Sequence, residues 1–191
     1  MRLNYRYAIL AGLLTCATVS AETPPTTREP LAPMPFAPLP DGIEVRFSSE
    51  DSDIVARVTE YIGMAKREIF ISQYAISDTR VIQALCAAFQ KGVVIGVLLD
   101  KNPAIKNYDT PRYLRAQGLP VILATRGLSG SGWHNQRYVI IDRECVVITS
   151  CDLTNASQRN TENMVAMRMP SIASRYYNNW LSEAQNGERM Q

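Results

Sequence analysis

The chain of 191 residues contains one histidine, His134, and the residues that follow it have types and spacing suited to phosphoryl chemistry. His134 lies in the run Trp133-His134-Asn135-Gln136-Arg137-Tyr138, which continues through Val139, Ile140 and Ile141 to Asp142. Thr149-Ser150-Cys151-Asp152 and then Asn160-Thr161-Glu162-Asn163 come after it. A histidine and a cation a few residues apart at a strand end, backed by a serine after the next strand, supply a nucleophile or acid and donors for phosphate oxygens. Trp133 and Tyr138 are candidates for a groove that stacks bases, or for simple packing.

These residues need strands to carry them, and the apolar pattern supplies strands alternating with helices. Residues 43–47, 68–75, 93–99, 120–124, 138–142, 145–149 and 164–167 read as strands, the 93–99 run being almost wholly apolar, as in a central strand covered on both faces. Residues 51–66, 78–91, 110–117 and 171–184 carry apolar residues at helical spacing; Ser77 or Asp78 caps the second helix and Gly92 stops it. Arg143-Glu144 marks a turn between two strands. The alternation, ending in a hairpin, predicts an α/β fold with a mixed, largely parallel sheet flanked by helices on both faces.

Before this domain stand two segments without a core. Residues 1–21 read as a secretory signal peptide: Arg2 and Arg6, an apolar stretch from Tyr7 to Val19, then Val19-Ser20-Ala21 at the cleavage positions. The apolar stretch falls short of the roughly 20 residues needed to span a bilayer. Lipoprotein anchoring at Cys16 is the alternative. Residues 22–40, with seven prolines from Pro24 to Pro40, read as an extended linker. The domain proper is 41–191, and the expected location is the periplasm or the exterior.

Loss of Arg2 and Arg6 with the leader leaves equal numbers of acidic and basic residues, so a globally basic nucleic-acid binder is not indicated. The charge is uneven, however: Lys101, Lys106, Arg112, Arg115, Arg126 and Arg137 face only Asp109, which predicts a local positive surface leading to His134. The cysteines left in the mature chain, Cys86, Cys145 and Cys151, have no metal-ligand spacing. Cys86, among Ala84, Leu85, Ala87 and Ala88, reads as a small buried hydrophobe, and one pair of the three could bridge in an oxidising compartment.

From Gly42 to Glu183 the chain resembles the phospholipase D superfamily, and most of all its small, secreted, single-motif bacterial endonuclease branch. That family's motif is His-x-Lys-x4-Asp-x6-Gly-Ser-x-Asn. Asp142, then Thr149, Ser150 and Asp152, follow its later half in register, and Asn160 to Asn163 match the branch's downstream Asn-x-Glu-Asn. The resemblance implies a hydrolase needing neither metal nor cofactor, acting through a phosphohistidine, with a second histidine protonating the leaving oxygen. It implies a homodimer whose two sites face each other; with one histidine per chain, two imidazoles can meet only across subunits. On this resemblance His134 and Glu162 are catalytic, Glu162 orienting an imidazole, while Arg137 (or Gln136), Ser150 and Asp152 bind phosphate. Asp142 is structural. The implied substrate is nucleic acid or phospholipid.

The chain departs from the motif in two places. The family's His and Lys, two apart, share a strand face while its Asp, seven from His, points away; here Asp142 is eight from His134, an even separation. Counting back from Asp142 puts Arg137 in the lysine place and Asn135, which cannot act as a nucleophile, in the histidine place. A bulge within Asn135 to Arg137 would absorb the extra residue and return His134 and Arg137 to one face. The second departure is Asp152 for Asn, with Thr149 for Gly. Two unit charges 4 Å apart repel by about 4 kcal/mol at an effective dielectric near 20, which corresponds to roughly two to three orders of magnitude in rate. The competing expectation is therefore a catalytically impaired dimer that binds phosphate-containing ligands or a protein partner.

Overall fold

The computed structural model describes residues 38–50, 53–102, 109–124 and 132–190. The signal peptide and most of the linker lie outside the described residues, as do Lys106 and Arg126 of the expected positive surface.

One sheet of eight strands organises the domain: β1 (Ile43–Phe47), β2 (Glu68–Gln73), β3 (Val94–Asp100), β4 (Val121–Ala124), β5 (Tyr138–Ile141), β6 (Cys145–Thr149), β7 (Asn163–Met167) and β8 (Glu188–Arg189). Their spatial order is β1-β7-β6-β5-β2-β3-β4-β8. The sheet is mixed, but only β2–β3 and β3–β4 pair in parallel. The other five pairings are antiparallel, a smaller parallel share than the sequence predicts. The parallel pairs are those of neighbouring strands joined by a helical crossover, from β2 to β3 and from β3 to β4, whereas β5 reverses into β6 through a tight turn.

Among the described residues, the α-helices that pack on the sheet include α1 (Ile54–Gly63), α2 (Thr79–Gln90), α3 (Asp109–Ala116) and α4 (Pro170–Gln185). Asp53 caps α1 by accepting from the Ala56 amide, and Asp78 caps α2 by accepting from the Arg80 amide. On α1 the buried residues Ile54, Val55, Val58, Tyr61 and Ile62 recur with the helical period, so one stripe faces the sheet. After α2 the chain turns at Gly92 with φ of 87°, a left-handed conformation that costs glycine little.

Strand alternation sorts the core into two layers. Ile69 and Ile71 of β2, Val97 and Leu99 of β3, and Val139 and Ile141 of β5 pack with α1, α2 and Leu114 of α3. Phe70, Leu98, Tyr138 and Ile140, on the opposite face, pack with Ala173 and Trp180 of α4. Trp180 lies over Gly96, where a Cβ atom would stand 2.6 Å from the indole, and its Nε1 donates to the Ile71 carbonyl at 3.0 Å. At the edge, Glu44 of β1 accepts from Arg57 and Tyr61 of α1, each at 2.7 Å. Arg57 foremost, against the opposing effect of burial, holds the Glu44 carboxyl down at about 2.

Cys86, Cys145 and Cys151 are all free thiols, so the anticipated bridge is not formed. Cys86 is half-buried against the core, and the other two are buried.

Candidate active site

The strand directions bring the chemistry-bearing residues to one end of the sheet. β2 and β3 end there at Gln73 and Asp100; β5, antiparallel to β2, starts there; β6 ends there and β7 starts there. Arg137, Ser150, Asp152 and Glu162 are therefore carried to a common rim by three strand termini, the start of β5, the end of β6 and the start of β7, although they are spread over 26 positions of sequence. The exit from β6 is fixed by an isolated bridge between Ile76 and Leu153, with the amides of Ser77 and Asp78 donating to the Leu153 carbonyl at 2.9 and 3.0 Å.

Ser150 and Glu162 meet at this rim. Ser150 Oγ donates to Glu162 Oε2 and accepts from the Asn163 amide at 3.0 Å. The second carboxylate oxygen of Glu162 accepts from Asn160 Nδ2 at 3.2 Å, and its backbone amide donates to Ser48 Oγ at 2.7 Å. Ser48 in turn donates to the Asn160 carbonyl at 3.2 Å, which locks the start of β7 to the end of β1. A polar cleft of about 370 Å³ adjoins this clamp, lined by Ser48, Asp53, Gln158, Asn160 and Glu162 among others. Cys151 also lines it, but burial raises its thiol to about 11, which removes it as a nucleophile.

Arg137 and Asp152 form a second pair. Arg137 Nε donates to Asp152 Oδ1 at 2.8 Å, and the two side chains are 22% and 23% exposed. The carboxylate at the place of the motif's asparagine is thus partly neutralised by Arg137, the cation expected from the sequence to bind phosphate. The cation, for its part, is already engaged.

His134 is placed elsewhere. Its Nε2 lies 2.7 Å from Ser72 Oγ, its backbone amide donates to Asp100 Oδ2 at 2.6 Å, and it is 5% exposed. Ser72 pairs with Tyr138 across β2 and β5, and Tyr138 belongs to the α4 layer, so the imidazole lies on the α4 side of the sheet. Arg137, one residue before Tyr138, takes the opposite face. The bulge expected within Asn135 to Arg137 is not what the contacts describe: simple alternation back from Tyr138 accounts for both placements. Asn135, in the family's histidine register, is exposed. Burial pushes the His134 imidazole below its usual value, against the opposing pull of Glu183 and Asp100.

Asp142 sits in the three-residue β5–β6 loop, where it and Arg143 both have φ of 54° and the Glu144 amide donates to the Ile141 carbonyl at 2.9 Å, a reversal built on two residues of positive φ. Its carboxylate accepts from the amides of Lys66, Arg67 and Glu68, the shortest at 2.7 Å. These bonds, outweighing burial, lower its pKa, and it is at the far end of β5 from Arg137. Tyr138 does not line a groove: it is buried, its ring stands edge-on to Tyr176, and its hydroxyl donates to Asn179 at 3.1 Å. Trp133 is 57% exposed and stands edge-on to Tyr74. Of the expected positive surface, Lys101 is paired with Glu188, Arg137 with Asp152, and Arg115 Nε donates to the Met190 carbonyl at 3.0 Å.

Ser48, Ser72 and Asp100 have roles here that the sequence did not signal, because a serine or aspartate at a strand end carries no periodic mark. Among the described residues no group of three or more His, Cys, Asp or Glu could hold a metal ion, and no helix is long and apolar enough to cross a membrane.

The family described as cardiolipin synthase, PLD-like domain, matches residues 58–183. A phospholipase D of Rickettsia bellii is 30% identical over 133 residues, which cover 68% of this chain and 64% of that protein; one of Rickettsia prowazekii is 27% identical over 126 residues. The chain thus spans a little under two thirds of the length of these relatives. Among solved structures, Nuc of Salmonella typhimurium, a phospholipase D family member, superposes with a TM-score of 0.70 at 24% identity, covering 78% of this chain and 97% of that one. NucT of Helicobacter pylori gives 0.68 at 16% identity, with 78% and 99% covered. With the fold of Nuc and NucT and a family match over residues 58–183, the chain belongs to the phospholipase D superfamily.

Proposed function

We propose that the domain is a phosphodiester hydrolase that works at the β5–β6–β7 rim on nucleic acid, with phospholipid as the other substrate of the same chemistry. The observation that carries this reading is the Ser150–Glu162 clamp beside Arg137, held by consecutive strand ends in the family's register. Ser150 and Arg137 are the donors for non-bridging phosphate oxygens. His134 is the nucleophile: its imidazole nitrogen forms a bond to phosphorus as the P–O bond to the leaving group breaks. The leaving oxygen takes a proton from the His134 of a second subunit, and water then hydrolyses the phosphohistidine.

For this to occur, His134 Nε2 must leave Ser72 and reach the opposite face, where Glu162 orients it once Ser150 Oγ donates to phosphate instead of to that carboxylate. The chain acts as a homodimer in the periplasm after loss of residues 1–21. The test is hydrolysis of a bis-aryl phosphodiester and of DNA by residues 22–191 in EDTA, beside phosphatidylcholine vesicles. His134→Ala should abolish turnover; activity that survives the substitution ends this mechanism.

One observation favours a second reading. With His134 held by Ser72 and Asp100 and Asn135 in the histidine register, the domain as it stands suits phosphate binding without turnover. On that reading the wild-type chain binds DNA or anionic vesicles in a salt-dependent manner and hydrolyses neither. Asn135→His with Asp152→Asn should then create activity.

A further inference from the structure

Gln73, the last residue of β2, is fully buried, and neither its Nε2 nor its Oε1 has a hydrogen-bond partner. Among the described residues it is the one side chain in that condition. A buried carboxamide without partners is destabilising, whereas an apolar residue of the same shape there would not be. Its neighbours in the same layer are Ile71 and Leu99, in direct contact with the apolar core. Folding alone therefore gives no reason for an amide at this position.

The register shows what it stands beside. β2 and β5 pair Ile71 with Val139 and Ser72 with Tyr138, so the next step sets Gln73 across from Arg137. Both side chains take the face opposite α4. On the other side of Arg137, the Thr149 amide donates to the Arg137 carbonyl at 3.1 Å, and Asp152 follows within three residues. Gln73, Arg137 and Asp152 thus lie in a row across β2, β5 and the exit of β6. Directly opposed residues on one sheet face have Cβ atoms about 4.5–5.5 Å apart, close enough for an amide and a guanidinium to hold one phosphate group.

We infer that Gln73 is a phosphate-binding residue whose Nε2 donates to a non-bridging oxygen beside Arg137, supplying the amide that Asp152 no longer provides. The inference rests on the phosphodiesterase reading and adds a residue to it. Arg137 is engaged by Asp152 in this structure, and a phosphate that draws the guanidinium away opens the path to the amide. The non-bridging oxygens of a phosphodiester are acceptors only, so Nε2 is the half of the amide that matters. Glutamate at this position removes the donor and adds a repelling charge.

The experiment uses residues 22–191 in EDTA, with orthovanadate as the probe and thermal denaturation as the readout. Wild type should be stabilised by vanadate in a saturable way. Gln73→Leu should melt at the same or a higher temperature without vanadate, and bind it about tenfold more weakly, the equivalent of one lost hydrogen bond to a charged group. Gln73→Met, which conserves volume, gives the same readout should the leucine variant fail to fold. Arg137→Gln should weaken binding too, which ties the vanadate to this rim. Equal affinity in wild type and both Gln73 variants, with loss in Arg137→Gln, overturns the role of Gln73 alone. No stabilisation of wild type at any vanadate concentration overturns this inference and the phosphodiesterase reading together.

Discussion

His134 Nε2 and Ser72 Oγ are 2.7 Å apart on the α4 side of the sheet, one strand face away from Arg137. The only imidazole of the chain is therefore parked, and catalysis through it requires a released state. A buried hydrogen bond of this kind contributes about 1 kcal/mol, so Ser72→Ala should raise the released population, and with it the turnover of a bis-aryl phosphodiester, by roughly fivefold. Turnover that falls in this variant would mean that the ring acts from its present place.

The same placement gives His134 a pH signature. Its pKa in the folded protein is depressed by burial, more than Glu183 and Asp100 can restore. The unfolded chain then binds the proton more readily, so stability is complete above the unfolded value of about 6.5 and falls as pH drops below it, toward the folded pKa. His134→Gln should flatten this acid-side loss between pH 7.5 and 5.5, measured by urea denaturation at each pH. An unchanged slope would mean that the imidazole is solvated.

Asp142 carries the opposite kind of burden. Its carboxylate satisfies three consecutive amides at the entry to β2, and hydrogen bonds to a charged group are worth about 1.5–3 kcal/mol. Asp142→Asn keeps a residue that tolerates φ of 54° but loses the charge, so it should destabilise by about 1–3 kcal/mol at pH 7. Because the folded pKa lies below 3.8, the difference from wild type should persist above that value and close as pH falls through the folded pKa. Denaturant titrations at pH 7 and pH 3 decide it.

The arrangement of elements was legible in the sequence because it rests on periodicity. The apolar stripes of α1 and α2 and the short continuous apolar runs of β5 and β6 identify themselves within a few residues. β8 was not legible: Glu188 and Arg189 have no apolar pattern, and only backbone pairing to Ile122 and Leu123 makes them a strand. Ser150, Glu162 and Asp142 stand out through spacing, a local property. The face chosen by His134 does not, since a single residue of slip reverses it, and the partners that settle it, Ser72 and Asp100, are 62 and 34 positions away. Gln73 was silent for a similar reason: an amide ending an apolar strand means little until Arg137 is seen across from it.

Gly96 allows the Trp180 indole to approach the sheet closely. A Cβ there would meet the indole at 2.6 and 2.7 Å and Phe70 at 2.9 Å, closer than packed atoms approach. Phe70, Tyr177 and Trp180 form one aromatic cluster, with ring centroids 4.7 and 4.8 Å apart, so the indole has little room to yield. Gly96→Ala should therefore cost about 1–3 kcal/mol through overpacking. Tryptophan emission should shift to the red as Trp180 lifts from its place, whereas an unshifted spectrum would mean that α4 moves as a body.

Asp152 has two effects on a phosphate at the rim, and they act in the same direction. Its charge repels the phosphate, and its hold on Arg137 Nε competes for the cation that should bind it. At roughly one-fifth exposure the pair is screened by solvent, so the repulsion of a bare pair, about 4 kcal/mol, is an upper bound. Asp152→Asn removes the charge, keeps the size and returns an amide donor. Vanadate affinity should rise about tenfold, and any phosphodiester turnover should rise with it, through kcat more than KM if the added negative charge of the transition state is what Asp152 opposes. Arg137→Lys in the same background separates the two effects. If freeing the guanidinium is what matters, bidentate contact is lost and most of the gain disappears; if removal of the charge matters, the gain remains.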